Sequence, residues 1–187
     1  MLSRKSFNAL AAACVMSLGF SSATAQTVAN GPYYATPSWD QTLACTALNN
    51  CPRFIVLSNM GSNAVLDRET GLVWERSPAT TIQTWNLARS HCTDRKTGGR
   101  MGWRLPSVHE LGSLVDPSVP FFTVALPSGH PFTILDSFTY WSATTNAEDT
   151  SRAWVMSIFN PSSSHADKGL SRFPVWCVRG GMNADAY

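Results

Sequence analysis

Residues 103–111, with the sequence Trp-Arg-Leu-Pro-Ser-Val-His-Glu-Leu, constrain the fold more than any other part of the chain. Pro106 disfavours a helical conformation at Leu105, so the chain is expected to enter this segment extended. Ser107 is placed to cap a helix, and Glu110 completes the capping-box pattern Ser-x-x-Glu. The segment therefore predicts an abrupt junction between an extended stretch and a short helix.

Residues 1–25 have the features of a secretory signal peptide. Arg4 and Lys5 supply a positive start, residues 7–20 are mostly apolar and uncharged, and residues 23–25 (Ala-Thr-Ala) form a cleavage pattern. The apolar run is shorter than a typical membrane span. We therefore predict a secreted or periplasmic protein, cleaved after Ala25, with no membrane span.

Removal of this signal peptide changes the net charge. Of the 14 basic residues, Arg4 and Lys5 are lost, so that 12 basic residues balance 12 acidic ones and the formal charge falls from +2 to zero. A neutral chain has no bulk attraction for nucleic acid or anionic lipid. We expect neither as a partner.

Cysteine usage points to disulfides rather than to a metal site. Cys14 is lost with the signal peptide, so the five cysteines become four: Cys45, Cys51, Cys92 and Cys177. An even number in an oxidising compartment predicts two bridges, although four cysteines allow three pairings. Their spacing does not match the ligand spacing of zinc sites.

The length fits one domain, and the hydrophobic and turn patterns are compatible with the α+β class. Residues 26–52 form an N-terminal leader without periodicity, residues 53–181 form the domain, and residues 182–187 form a tail. Strands are expected at 53–57, 64–66 and 72–74, and later at 139–144, 152–159 and 172–179. A polar loop that begins at Asn160 is expected between the last two strands.

A first helix is expected between these groups of strands. Thr80 and Gln83 form a capping-box pattern, and Trp85, Ala88 and Cys92 recur at helical spacing. This pattern predicts a helix that begins at Thr80 and ends near residue 96.

Five segments, taken in order, resemble the Lcl C-terminal domain family over about residues 60–181. They are residues 66–75 (Leu-Asp-Arg-Glu-Thr-Gly-Leu-Val-Trp-Glu), 103–111, 140–144 (Tyr-Trp-Ser-Ala-Thr), 153–158 (Ala-Trp-Val-Met-Ser-Ile) and 176–181 (Trp-Cys-Val-Arg-Gly-Gly). The resemblance implies a C-type-lectin-like fold of the α+β class, with two helices on small antiparallel sheets. It also implies a bridge from Cys92 in the first helix to Cys177 in the last strand. For the other bridge we favour Cys45–Cys51, because the two are close in sequence and would staple the leader.

Enzyme signatures are mostly absent. Residues 103–106 followed by a helical Glu also resemble, more distantly, the formylglycine-generating enzymes, which need a reactive cysteine near their C-terminal end. Here Cys177 is the only late cysteine, and a bridged sulfur has no thiolate to react or to bind metal. We therefore expect a protein without catalytic activity, cofactor or metal.

A basic run is the first candidate for a binding surface. It consists of Arg89, Arg95, Lys96, Arg100 and Arg104. Guanidinium groups suit the sulfate or carboxylate of an acidic glycan. The alternative is that these cations complement the dipole at the C-terminal end of a helix, with Arg104 bonded internally.

A second candidate lies in the loops at about 117–150 and 160–170, which the resemblance places on the variable face. Asn146, Glu148 and Asp149 carry oxygens that suit Ca²⁺, or they form only a solvated turn. The Glu-Pro-Asn, Gln-Pro-Asp and Trp-Asn-Asp motifs of calcium-dependent lectins do not occur.

The function that we infer from the sequence is a non-catalytic binding module for adhesion. Its ligand is expected to be a surface glycan, sulfated or acidic, or a protein. The alternative is a structural subunit or cap of a cell-surface assembly, and a formylglycine-type enzyme is a third reading. The sequence leaves the oligomeric state open.

Overall fold

The computed structural model describes residues 28–29, 43, 45, 51–120, 123–134 and 139–180. The predicted signal peptide (1–25), the tail (182–187) and most of the leader (26–52) lie outside these residues. What is described is an α+β structure with two α-helices, several antiparallel pairings and two disulfides.

The helices and strands are named here in chain order. The strands are β1 (Val28–Ala29), β2 (Phe54–Leu57), β3 (Ala64–Asp67), β4 (Val73–Glu75), β5 (Ala79–Gln83), β6 (Trp103–Arg104), β7 (Thr139–Thr145), β8 (Arg152–Ser157), β9 (Ser162–Asp167), β10 (Phe173–Val175) and β11 (Val178–Arg179). The helices are α1 (Trp85–Thr93) and α2 (Val108–Ser113), and short 3-10 turns occur at Ser58–Met60 and Thr97–Gly99.

The strands form three sheets. The largest has the order β1-β2-β3-β4-β11-β6, in which β1 pairs parallel to β2 and every other pairing is antiparallel. The strand β11 lies between β4 and β6, with Val178 opposite both Trp74 and Arg104. The C-terminal end of the domain is therefore built into its central sheet. The two smaller sheets are the pair β10-β5 and the meander β7-β8-β9.

The junction predicted at residues 103–111 is confirmed. Trp103 and Arg104 form β6, and Ser107 caps α2 with a complete capping box. The Ser107 hydroxyl accepts a hydrogen bond from the Glu110 backbone N–H (3.1 Å), and the Glu110 carboxylate accepts one from the Ser107 N–H (2.8 Å). Glu110 also accepts a hydrogen bond from Arg104 at 2.7 Å, so the strand and the helix share one carboxylate.

The predicted start of the first helix is wrong. Residues 79–83 form β5, and α1 begins at Trp85 and ends at Thr93. In β5, Gln83 lies opposite Phe173 and Ala79 lies opposite Val175. Pairing with a strand some 90 residues away stabilises the extended form of this β-branched stretch. The capping pattern at Thr80 stabilises a helix less than this pairing stabilises the strand.

The predicted loop after Asn160 is also wrong in part. Residues 162–167 form β9, which pairs with β8 without a bulge from Arg152↔Asp167 to Ser157↔Ser162. Serine has little intrinsic preference for strands, so the composition did not indicate one. The expected strand at 172–179 is divided into β10 and β11 by Trp176 and Cys177.

The core contains most of the tryptophans. Trp74 and Trp176 form an edge-to-face pair at 5.5 Å, and Phe132 and Tyr140 also contact Trp176. A second cluster surrounds Trp103, Trp141 and the disulfide that joins α1 to the C-terminal segment. Trp85 is also buried, but Trp154 is only partly so. Aromatic pairs of this kind add about 0.5–1.5 kcal/mol beyond the area that they bury.

Both favoured disulfides, Cys45–Cys51 and Cys92–Cys177, are present. The Cα atoms of Cys92 and Cys177 are 5.4 Å apart, within the usual range for a bridge. Two disulfides are compatible with an oxidising, extracellular compartment. No helix of the described residues is long and apolar enough to cross a bilayer.

The two bridges are expected to differ in their contribution to stability. Replacing Cys92 and Cys177 by Ala opens a loop with a sequence separation of 85, which corresponds to about 4–5 kcal/mol in the free energy of unfolding. Replacing Cys45 and Cys51, with a separation of 6, is expected to cost about 2–3 kcal/mol. Urea unfolding of the two double variants measures both losses. Equal losses would contradict the dependence on loop length.

Candidate functional site

An open cleft of about 710 Å³ lies where the central sheet meets the end of α1. Nine of its ten lining residues carry polar side chains, and the tenth is a glycine. They are Ser62, Asn63, Glu75, Arg76, Ser77, Arg95, Lys96, Thr97, Gly98 and Thr133. Three cations therefore line the cleft with a single carboxylate.

The carboxylate of Glu75 lies at the base of the cleft and is already engaged. Its side chain is 2% exposed, and Oε1 lies 2.8 Å from the Nε atom of Arg95. The Thr97 hydroxyl donates to the same oxygen at 2.7 Å, and the backbone N–H of Cys177 lies 3.4 Å from Oε2. Because a buried charge is costly unless it is paired, these contacts make Glu75 a structural anchor for the cleft.

Arg76 is held in place by backbone carbonyls. Its Nε donates to the Pro131 carbonyl at 3.1 Å, and Nη1 lies 3.4 Å from the Ser62 carbonyl. No carboxylate of the described residues forms an ion pair with Arg76. The positive charge of Arg76 is therefore oriented by the protein without being neutralised by it.

Lys96 is exposed at the rim of the cleft. Its ammonium group forms no salt bridge with a described carboxylate, unlike the guanidinium of Arg95, which is 37% exposed and pairs with Glu75. An ammonium group is a compact donor that suits an anionic ligand. Arg76 and Lys96 therefore supply the charge that Glu75 does not balance.

The structure separates the members of the basic run. Arg95 and Lys96 line the cleft, whereas Arg100 is exposed outside it. Arg104 pairs with Glu110 and donates to the Gly180 carbonyl at 2.9 Å, which confirms that it is bonded internally. The guanidinium of Arg89 lies over the Trp85 ring, 4.9 Å from its centroid.

The second candidate set lies in the turn between β7 and β8, where local bonds engage the side-chain oxygens of Asn146 and Asp149 and the side chain of Glu148 is exposed. The amide oxygen of Asn146 accepts from the Glu148 N–H at 3.0 Å. Asp149 accepts from the hydroxyl and N–H of Ser151, which together hold the pKa of Asp149 below its ordinary value, and Arg152 adds to this. Within the described ranges, no three His, Cys, Asp or Glu side chains are grouped to hold a metal ion.

Two histidines are partly withdrawn from solvent. Burial lowers the pKa of His91, and the nearby Arg95 lowers it further. Nδ1 of His91 lies 3.1 Å from the side-chain amide nitrogen of Gln83. Burial also lowers the pKa of His130. Neither ring lines the cleft.

Of the ten residues that line the cleft, the sequence predicts only Arg95 and Lys96 as candidates for binding. Ser62 and Asn63 directly precede β3, more than 30 residues before Arg95, and Arg76 directly follows β4, about 20 residues before it. The one available indication was Glu75, which ends the family-like segment at residues 66–75 and is a charged residue in a buried strand. Its neighbour Arg76 carries no local pattern that places it beside the end of α1.

A comparison with protein families identifies the family of the domain. The model of the Lcl C-terminal domain matches residues 63–179, which is more than half of the chain. The protein belongs to the Lcl C-terminal domain family. The match covers the elements from β3 to β11 and includes nearly every residue of the cleft. No curated protein is significantly similar to this Lcl C-terminal domain in sequence.

The floor of the cleft depends on a glycine that has no room for a side chain. Gly98 has a φ of +62°, and a Cβ atom there would lie 2.4 Å from Cβ of Met60. Gly99 has a similar φ of +69°, but a Cβ atom there would meet nothing within 4 Å. Alanine substitutions at Gly98 and Gly99 therefore separate two energetic costs. Both variants strain the backbone, but only the one at Gly98 also creates a close contact with Met60.

We expect Gly99→Ala to lower the free energy of unfolding by about 1 kcal/mol, because the left-handed conformation is strained for Ala. Gly98→Ala is expected to cost a further 1–3 kcal/mol, roughly, because Met60 must move. Urea unfolding of both variants measures the difference. If the two lose the same stability, the close contact with Met60 does not support this part of the cleft.

Proposed function

We propose that this Lcl C-terminal domain is a secreted or periplasmic, non-catalytic binding module that holds an acidic glycan in the cleft between the central sheet and the end of α1. The observation that carries the proposal is the composition of the cleft. Three cations and several hydroxyl and amide groups line it, and its single carboxylate is buried and paired. Sulfate and carboxylate groups are the anions that guanidinium and ammonium groups bind with charge-assisted hydrogen bonds.

The polar lining favours a carbohydrate over an apolar ligand. Pockets for drug-like molecules are lined mainly by hydrophobic and aromatic side chains. The lining of this cleft contains no hydrophobic or aromatic side chain. Donors and acceptors for sugar hydroxyls come from Ser62, Asn63, Ser77 and Thr133. The cleft is open, so that a chain of sugar units can lie across it without threading.

The proposed binding is independent of calcium. In the β7–β8 turn, the oxygens of Asn146 and Asp149 accept bonds from neighbouring N–H and O–H groups. Anion binding by Arg76 and Lys96 needs no bridging cation. We also propose that the α+β fold is C-type-lectin-like, which is supported by the two helices and by the bridge from α1 to the C-terminal segment.

Lys96→Glu tests this proposal, and Arg100→Glu is its matched control, because both reverse one exposed charge and only Lys96 lines the cleft. Heparin as a sulfated polysaccharide, alginate as a uronate without sulfate, and neutral dextran are titrated by calorimetry with and without EDTA. We expect an acidic polysaccharide to bind with or without EDTA, and more weakly at high salt. Lys96→Glu should weaken binding at least tenfold, since loss of one charge-assisted contact costs about 1.5 kcal/mol or more.

The control defines the outcomes that contradict the proposal. Arg100→Glu is expected to change the affinity less than threefold. Equal losses in the two variants would indicate a diffuse basic surface instead of the cleft. If neither acidic polysaccharide binds, the glycan proposal fails, and a protein ligand takes its place.

A further inference from the structure

The strand β9 lies at the edge of the meander β7-β8-β9, and no described strand pairs with its outer side. The first four residues of β9 are exposed. The pairing with β8 runs through six consecutive residue pairs without a register shift. The outer side of β9 is therefore a regular and accessible edge.

The register determines which backbone groups point outward. In an antiparallel pair, residues alternate between those bonded to the partner strand and those whose N–H and C=O face away. The Lys168 N–H donates to the Ser151 carbonyl at 3.0 Å, which continues the β8–β9 register. Counting back in steps of two, Ser164 and Ser162 face β8. Ser163 and His165 therefore direct their N–H and C=O groups to the outer side.

Within residues 162–166 this edge lacks the features that usually prevent strand pairing, which occur only at its two ends, at Pro161 and at Asp167 and Lys168. Natural edges are protected by lysines, prolines, bulges or inward-pointing charges. Residues 162–166 are Ser-Ser-Ser-His-Ala, which contain no lysine, proline or carboxylate. The ring of His165 is directed to the face of the sheet, where Nδ1 lies 3.1 Å from Nη1 of Arg152 and the ring packs edge-on to Trp154. It does not cover the backbone.

We propose that the outer edge of β9 is a self-association surface, on which the β9 strands of two copies pair antiparallel about a two-fold axis at Ser164. In this register Ser163 of each copy lies opposite His165 of the other. Each such pair exchanges two hydrogen bonds, so that four backbone hydrogen bonds form. The two sheets join into one sheet of six strands.

The distribution of charge and size favours a second copy as the occupant. The two-fold register places Asp167 of one copy beyond the neutral end of the other, opposite Pro161, so no like charges oppose each other. Small serine side chains allow two identical strands to approach closely. A bound peptide would need side-chain pockets for specificity, and the polar cleft contains no residue of β9.

The expected association is weak, because pairing of two short edges buries far less surface than a standard interface. Trapping by a disulfide is therefore the suitable measurement. Opposed residues in a non-hydrogen-bonded antiparallel pair have Cα atoms about 4.5 Å apart, which a disulfide spans. In this register, Ser164 of one copy lies opposite Ser164 of the other. The two Ser162 residues are separated by roughly 14 Å along the strand, which is too far for a disulfide.

The experiment compares Ser164→Cys with Ser162→Cys in the protein without its predicted signal peptide (residues 26–187), which removes Cys14. Both variants are incubated in a glutathione redox buffer and analysed on non-reducing gels. We expect at least tenfold more covalent dimer from Ser164→Cys. Adding Ser163→Pro should abolish that dimer, because proline removes an outward N–H and leaves the bonds to β8 intact. Adding Ser163→Thr should leave it unchanged.

Two results would overturn the proposal. The first is equal crosslinking of the two cysteine variants, which is the signature of random collision. The second is the absence of dimer from Ser164→Cys at millimolar protein. If Ser163→Pro does not fold, as judged by circular dichroism, the comparison of the two cysteine positions still decides between these outcomes. None of the variants alters the cleft, so a failure here leaves the glycan proposal standing.

Discussion

The bridge between Cys92 and Cys177 joins the end of α1 to the segment that enters the central sheet. Cys177 lies beside Glu75, since the Glu75 N–H donates to the Cys177 carbonyl at 3.1 Å. The indole N–H of the preceding Trp176 donates to the Glu75 carbonyl at 2.8 Å. The disulfide therefore fixes where α1 ends relative to β4. Because Arg95, Lys96 and Thr97 follow directly after α1, it also fixes where these side chains meet Glu75.

The buried carboxylate of Glu75 has two consequences for the cleft. It neutralises the charge of Arg95 and accepts a hydrogen bond from Thr97. These two residues therefore support the structure of the cleft as well as lining it. The charge available to an anion then comes mainly from Arg76 and Lys96. Removing one partner of a buried pair leaves an uncompensated charge. Substitutions at Glu75 or Arg95 would therefore confuse loss of fold with loss of binding, whereas Lys96 on the rim avoids this.

The two proposed surfaces depend on different parts of the molecule. The cleft is built from the central sheet, the end of α1 and Thr133, whereas the β9 edge belongs to the separate meander. A pair of copies joined through β9 would carry two clefts. Two weak sites on one assembly can bind a repeating polymer far more tightly than either site alone, provided that one chain reaches both. Weak self-association and weak glycan binding would then reinforce each other.

Two capping patterns show how far local reasoning extends. The pattern at Ser107 and Glu110 is confirmed, because Pro106 and the extended β6 impose the same boundary that the cap requires. The helix start predicted from the similar pattern at Thr80 and Gln83 is wrong. The strand that contains them instead pairs with β10, which provides backbone hydrogen bonds to the extended form. Local propensities determine the secondary structure of a segment that has no distant pairing partner. Where such a partner exists, pairing with it determines the structure instead.

The sequence by itself determined the family, the local bridge Cys45–Cys51, the second helix and the burial of most tryptophans, whereas the bridge Cys92–Cys177 was implied only by the family resemblance. These features follow from residue types and short spacings, which are present in the unfolded chain. Only the tertiary structure brought Arg76 to the same cleft as Lys96, placed Arg100 outside it, and turned a serine-rich segment into the edge strand β9. These arrangements depend on strand pairings and on a covalent bridge between residues far apart in sequence, and no local pattern encodes them.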